Sequence, residues 1–234
     1  MAGFTSKLTP KGSMVARLKA ANAGDWESYI WHDFVRQLGR GTLPEQAFRH
    51  YLIQDYLFLI HFSRAYALAV YKADSLEDMR RDGGVMAMLL NTEMSLHVKF
   101  CKGWGISEAR MAAMPEDRAC TAYTRFVLDA GNAGDVLDLH AALAPCVVGY
   151  GEVAERLMAD KDTKLKGNPY RAWIEMYASD GYRGVAADAV RQLDRLYARR
   201  AGPARFKPLA RLFGTATRLE GDFWQMGLDG GLTT

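Results

Sequence analysis

The chain lacks the short signatures that announce several common chemistries. It has no GxGxxG, GxxxxGK(S/T), HExxH or GxSxG. Dinucleotide and P-loop phosphate binding, helical zinc hydrolysis and elbow-type serine hydrolysis therefore lose their usual support. Cysteine is scarce: Cys101, Cys120 and Cys146 form an odd set with no CxxC pair, which argues against a disulfide framework and suits a reducing compartment. No window approaches ~18 uninterrupted apolar residues, and residues 1–12, MAGFTSKLTPKG, contain no apolar h-region. The expectation is a cytoplasmic protein with no membrane partner. A net charge of only +3 is too mild to predict nucleic-acid binding from the global field.

Apolar residues make up 49% of the 234 positions, enough for a sizeable core. Their spacing is helical nearly throughout, with no strand-length alternation, repeat or low-complexity linker. The chain thus reads as all-α, a single domain over 1–234, with loose ends at 1–12 and 228–234. A short helix is expected from Ser13 to Ala21, and another from Asp25 to Leu38, stopped by Gly39-Arg40-Gly41. A long helix follows from Pro44 to Tyr71, because Tyr51, Asp55, Phe58, Phe62 and Tyr66 recur along one side. Ser75 and Asp78 read as a capping box opening a helix that Gly83-Gly84 bends or interrupts before it resumes through Lys102. Shorter helices are expected at Glu108–Met114 and Thr121–Ala130, and a long one at 135–159. A loop at 160–167 precedes helices from Pro169 to Tyr177, from Gly184 to Arg200 and from Pro203 to Met226.

The segment AALAPCVVGYGE places Pro145 inside an apolar helix with Cys146 directly after it. Pro145 cannot donate to the carbonyl of Ala141, so the turn carrying the cysteine should be disturbed. Tyr150, four residues on, shares a face with Cys146 and can orient the thiol or donate to a ligand. Read alone, a cysteine on an apolar helix is more often inert core packing. In QDYLF, Asp55 and Phe58 stand on the inward stripe, and a buried Asp55 needs a donor, supplied by a ligand amine or by a structural partner. In LEGDFW, Glu220 enters an apolar neighbourhood, where it can act as an acid, or else lies on a solvated face.

Glu93 and His97 in NTEMSLH stand at i and i+4, a spacing compatible with a metal pair or with structural hydrogen bonding by His97. None of the remaining histidines, His32, His50, His61 and His140, forms a second Glu/His pair of the ExxH type. The basic run from Arg191 to Arg211 is a candidate nucleic-acid footprint, but Arg191, Arg195 and Arg199 are spaced by four and read more simply as one solvated helix face.

In sequence and order, the segments GTLPEQAFRHYLIQDYLFL, TEMSLH, TAYTRF, LAPCVVGYGEV, NPYRAWIEMYAS and LEGDFWQM resemble the TenA family of thiaminase II enzymes, of the haem-oxygenase-like all-α superfamily. The resemblance spans residues from about Trp31 to Met226. It implies that Cys146 is a nucleophile, that Glu220 contacts a pyrimidine nitrogen, and that Asp55 binds the pyrimidine while Phe58 and Tyr123 sandwich the ring. It further implies Tyr150 and Tyr177 as pocket tyrosines. The implied activity is hydrolysis of 4-amino-5-aminomethyl-2-methylpyrimidine, or of thiamin, by a homotetramer that needs no metal or organic cofactor. Val147-Val148-Gly149 is smaller than the aromatic filling found in parts of the family, which implies a wider pocket. Two rivals remain: a helical metal oxidase on the same scaffold, and a regulatory binding protein.

Overall fold

A computed structural model describes residues 4–200, 202 and 204–230. Among these residues the regular structure is entirely helical: twelve α-helices and one π-helical turn, with no strand. The chain divides into two compact units, one made of Met1–Leu43 with His140–Gly221, the other of Pro44–Leu139 with Asp222–Thr234.

The first unit begins with residues 4–12, which the sequence leaves as a loose end but which are held by specific bonds. Ser6 Oγ donates to Glu155 at 2.6 Å, and Thr9 Oγ1 donates to Glu152 at 2.9 Å. Helix α1, Met14–Ala21, starts where Ser13 Oγ accepts from the Ala16 amide, satisfying one of the amides that a helix start leaves without an internal partner. The single helix expected from Asp25 to Leu38 is instead two, α2 (Ala23–Ile30) and α3 (Asp33–Arg40). His32 stands between them in extended conformation, and its Nδ1 accepts from the Phe34 amide at 3.3 Å. Burial lowers the His32 pKa, outweighing the charge of Asp33, and the neutral imidazole is the form that has a lone pair for that amide. Histidine is not among the usual capping residues, so the periodic pattern concealed the break. Gly41, at φ 70°, closes α3 in the left-handed region, where glycine carries no side-chain penalty.

The second unit is organised on α4, Glu45–Lys72, whose residues from Tyr51 to Leu59 are all buried. One buried stripe was expected; burial on every side marks α4 as the unit's central helix. Ser75 Oγ caps α5, Leu76–Met88. That helix runs straight through Gly83-Gly84, and the interruption falls later, at the π turn Leu89–Glu93 leading into α6, Met94–Gly103. Glycine chemistry was therefore the wrong locator, since a π turn inserts one residue without needing a breaker. Helix α7 is Glu108–Ala112, and α8, Arg118–Ala133, starts earlier than expected because Asp117 caps it through the Ala119 amide.

Helix α9, Val136–Ala159, continues on both sides of Pro145. By length and composition it could cross a membrane, yet 94% of its apolar window is buried within the protein, as befits a core helix. Helices α10 (Arg171–Tyr177), α11 (Asp180–Arg200) and α12 (Phe206–Gly230) complete the order. Helix α12 keeps Leu228–Gly230 helical, where fraying was expected. The expected helix start at Pro203 and the remaining tail, 231–234, lie outside the described residues, as do residues 1–3.

Within the first unit Glu152 of α9 is a structural anchor. Its carboxylate takes Trp26 Nε1 at 3.0 Å on one oxygen and the Lys19 ammonium together with Thr9 on the other. A buried carboxylate is tolerable only when its lone pairs are met in this way.

Candidate active site

The seven residues singled out in the sequence fall on five helices: Asp55 and Phe58 on α4, Tyr123 on α8, Cys146 and Tyr150 on α9, Tyr177 on α10, and Glu220 on α12. Cys146, Tyr150, Tyr177 and Glu220 belong to the first unit, and Asp55, Phe58 and Tyr123 to the second.

The three thiols differ in exposure, and the first unit carries one of them, Cys146. Cys146 is partly exposed. One turn later Tyr150 joins an aromatic cluster, with its ring centroid 4.9 Å from that of Tyr177, which in turn lies 4.5 Å from Trp173. Such tilted contacts are favourable ring pairings; Trp173 was not anticipated, though it sits one turn before Tyr177 on α10. The turn bearing Cys146 is fixed from the side by Tyr29, which donates its hydroxyl to the Pro145 carbonyl at 3.3 Å. The small residue at Gly149 does not open the pocket as expected: a Cβ there would lie 2.3 Å from Tyr29 Cε1, so the Tyr29 ring already fills that space. Glu220 is 2% exposed, which removes the solvated-face reading and leaves a buried acid.

In the second unit the buried Asp55 has found protein donors. Tyr51 Oη donates to Asp55 Oδ2 at 2.9 Å, and His97 Nε2 meets the same oxygen at 2.6 Å. His97 is fully buried, and its Nδ1 lies 2.8 Å from the Glu93 backbone carbonyl. Burial alone would lower the His97 pKa, but the hydrogen bond and charge of Asp55, with the charge of Glu93, raise it. His97 thus acts as a hydrogen-bonding residue with both ring nitrogens engaged, which removes the lone pair that the metal-pair reading requires. Tyr51 was missed as a partner of Asp55 although it stands at i−4 on the same helix, the spacing at which helical side chains meet.

Phe58 and Tyr123 come together, but against each other: their ring centroids are 4.9 Å apart with planes tilted by 35°. A flat ring sandwiched between them would need about 7 Å, two stacking spacings. Phe58 also stacks on Phe62 at 5.0 Å. The expected two-sided slot is therefore closed in this structure.

The remaining thiols are unsuited to attack. Cys101 is buried with its pKa pushed up to about 11, by burial offset slightly by Arg49. Cys120 is raised further, first by burial and then by the charges of Glu116 and Asp55, and a thiolate is the attacking form. On the basic helix α11, Arg191 and Arg199 are exposed and Arg191 pairs with Asp188, whereas the half-buried Arg195 donates to the buried Gln192 at 2.9 Å.

A helical protein that presents a thiol beside a proline turn, backed by clustered tyrosines and carrying two buried acids, is the class defined by these features. The chain belongs to the TENA/THI-4/PQQC family, whose model matches residues 20–230. It is 34% identical over 208 residues to a protein of Halalkalibacterium halodurans named aminopyrimidine aminohydrolase, covering 86% of this chain and 89% of the relative. An uncharacterized Haemophilus influenzae protein is 44% identical over 204 residues, covering 87% of this chain and 94% of that one. Among solved structures, a TenA family transcription regulator from Silicibacter sp. TM1040 superposes with a TM-score of 0.88 at 45% identity, covering 94% of this chain and 98% of the other. A TenA homologue from P. horikoshii OT3 gives 0.84 at 27% identity, covering 93% and 99%.

Proposed function

We propose that the chain is a cofactor-independent aminopyrimidine hydrolase of thiamin salvage, with Cys146 as nucleophile and Glu220 as acid. The observation that carries this reading is the partial exposure of Cys146 while Cys101 and Cys120 are buried with raised pKa values. The relatives named aminopyrimidine aminohydrolase support the substrate class.

Glu220 protonates a ring nitrogen, which makes the adjacent ring carbon electrophilic. The Cys146 thiolate adds there, forming a carbon–sulfur bond and breaking aromaticity. The ring electrons then expel the protonated amine as ammonia, or the thiazolium of thiamin as neutral thiazole, from the exocyclic methylene. Water adds to that carbon, its proton is lost, and departure of the Cys146 sulfur restores the aromatic ring as hydroxymethylpyrimidine. Asp55 accepts from the exocyclic amine, and Tyr150 and Tyr177 line the site. Phe58 and Tyr123 take up the ring after moving apart, or stack on one face of it. A cytoplasmic homotetramer is the compartment and assembly that accompany this reading.

The test is incubation of the purified protein with 4-amino-5-aminomethyl-2-methylpyrimidine and with thiamin, following hydroxymethylpyrimidine by chromatography. Cys146→Ser should abolish release while leaving the helical circular dichroism and melting temperature unchanged. Turnover retained in that variant would refute the nucleophile.

A further inference from the structure

We infer that His97 and Tyr51 are positioning residues that hold Asp55 as an acceptor-only carboxylate, and so make the site select a ring bearing an amine donor. This rests on the aminopyrimidine reading and adds its selectivity.

The inference comes from which atoms face which. The Glu93 carbonyl can only accept, so the His97 Nδ1 beside it at 2.8 Å carries a proton. Asp55 Oδ2 receives the Tyr51 hydroxyl and also lies 2.6 Å from His97 Nε2. The hydrogen bond and charge of Asp55, with the charge of Glu93, raise the His97 pKa against the effect of burial, so the protonated imidazole donates from Nε2 to the oxygen that already accepts from Tyr51, and the pair is imidazolium with carboxylate. Both bonds fall on Oδ2, and Oδ1 takes neither. A carboxylate side chain only 4% exposed is costly to bury unless its charge is met by donors. With its charge held, Asp55 offers Oδ1 as a pure acceptor, which suits an N–H donor.

The backbone helps to place His97. The π turn at Leu89–Glu93 lies immediately before it, and one inserted residue rotates the following face by roughly 100° relative to an uninterrupted helix. His97 is brought onto the face that meets Asp55 of α4 by this local widening, and its imidazole is braced by the carbonyl of the last π residue, Glu93.

The test measures, by titration calorimetry, binding of 4-amino-5-hydroxymethyl-2-methylpyrimidine and of the same ring lacking the 4-amine. A charge-assisted hydrogen bond should make the wild-type chain prefer the amine-bearing ring by roughly 10- to 100-fold. In His97→Gln the preference should fall about three- to tenfold, with affinity for the ring lacking the amine unchanged; Tyr51→Phe, which removes one hydroxyl and is expected to fold, should shift it the same way by less. Equal weakening of both rings in Tyr51→Phe, or an unchanged preference, would overturn the positioning role, because a merely structural contact does not distinguish the ligands. If the wild-type chain binds neither ring, the aminopyrimidine reading itself fails and takes this inference with it.

Discussion

Replacing Gly149 by alanine sets two opposing effects against each other on one helix. In an exposed helix interior the change stabilises by about 1 kcal/mol, because alanine loses less backbone entropy and is the better helix former. At Gly149 the new Cβ would lie 2.3 Å from Tyr29 Cε1, 2.5 Å from its Oη and 2.7 Å from its Cζ, more than 1 Å inside ordinary contact. The ring has little room to retreat: it is fully buried, packed edge-on against Trp26 at 5.7 Å and bonded to the Pro145 carbonyl. Overpacking of such a site costs about 2–3 kcal/mol, so the net expectation is a loss of about 1–2 kcal/mol. For a chain of this size that lowers the melting temperature by roughly 2–8 °C. Gly184→Ala on α11 is the control, since nothing lies within 4 Å of its added Cβ, and it should stabilise by up to about 1 kcal/mol. Differential scanning calorimetry of the two variants decides the matter. If Gly149→Ala melts at or above the wild-type temperature, Tyr29 is not wedged as described.

Three further outcomes are expected. At neutral pH iodoacetamide should modify one cysteine per folded chain, Cys146, and three after unfolding, as peptide mass spectrometry would count; rapid labelling of Cys101 or Cys120 in the folded protein would contradict their burial. The raised pKa of His97 contributes stability that is fully present below its unfolded value, near 6.5, and is lost as pH rises through the folded value, with Asp55 and Tyr51 of α4 and Glu93 facing it. Denaturant unfolding from pH 6 upward should therefore show a decline that is absent in His97→Gln, and identical pH profiles would dismiss the linkage. Glu152→Gln, which leaves the Lys19 ammonium beside a neutral group in a nearly closed site, should cost roughly 3–5 kcal/mol, and Lys19→Met combined with Glu152→Leu should cost less. A double variant as damaged as the sum of the singles would count against that buried network.

Much of the architecture is local and was legible in the chain. The 3.6-residue spacing of apolar positions fixed the helical class, Ser13 and Ser75 marked helix starts, and Gly41 marked a stop, because these signals act through bonds within one turn of the residues that carry them. The order of short segments around Asp55, Cys146 and Glu220 was enough to show the family. Tertiary structure decided what spacing cannot carry. It placed Tyr51 and His97 on one oxygen of Asp55, closed the gap between Phe58 and Tyr123, set the Tyr29 ring into the space beside Gly149, and buried two of three chemically identical thiols. Each of these depends on atoms brought together from distant parts of the chain, and a pattern of side-chain types along one helix contains no term for what packs against it.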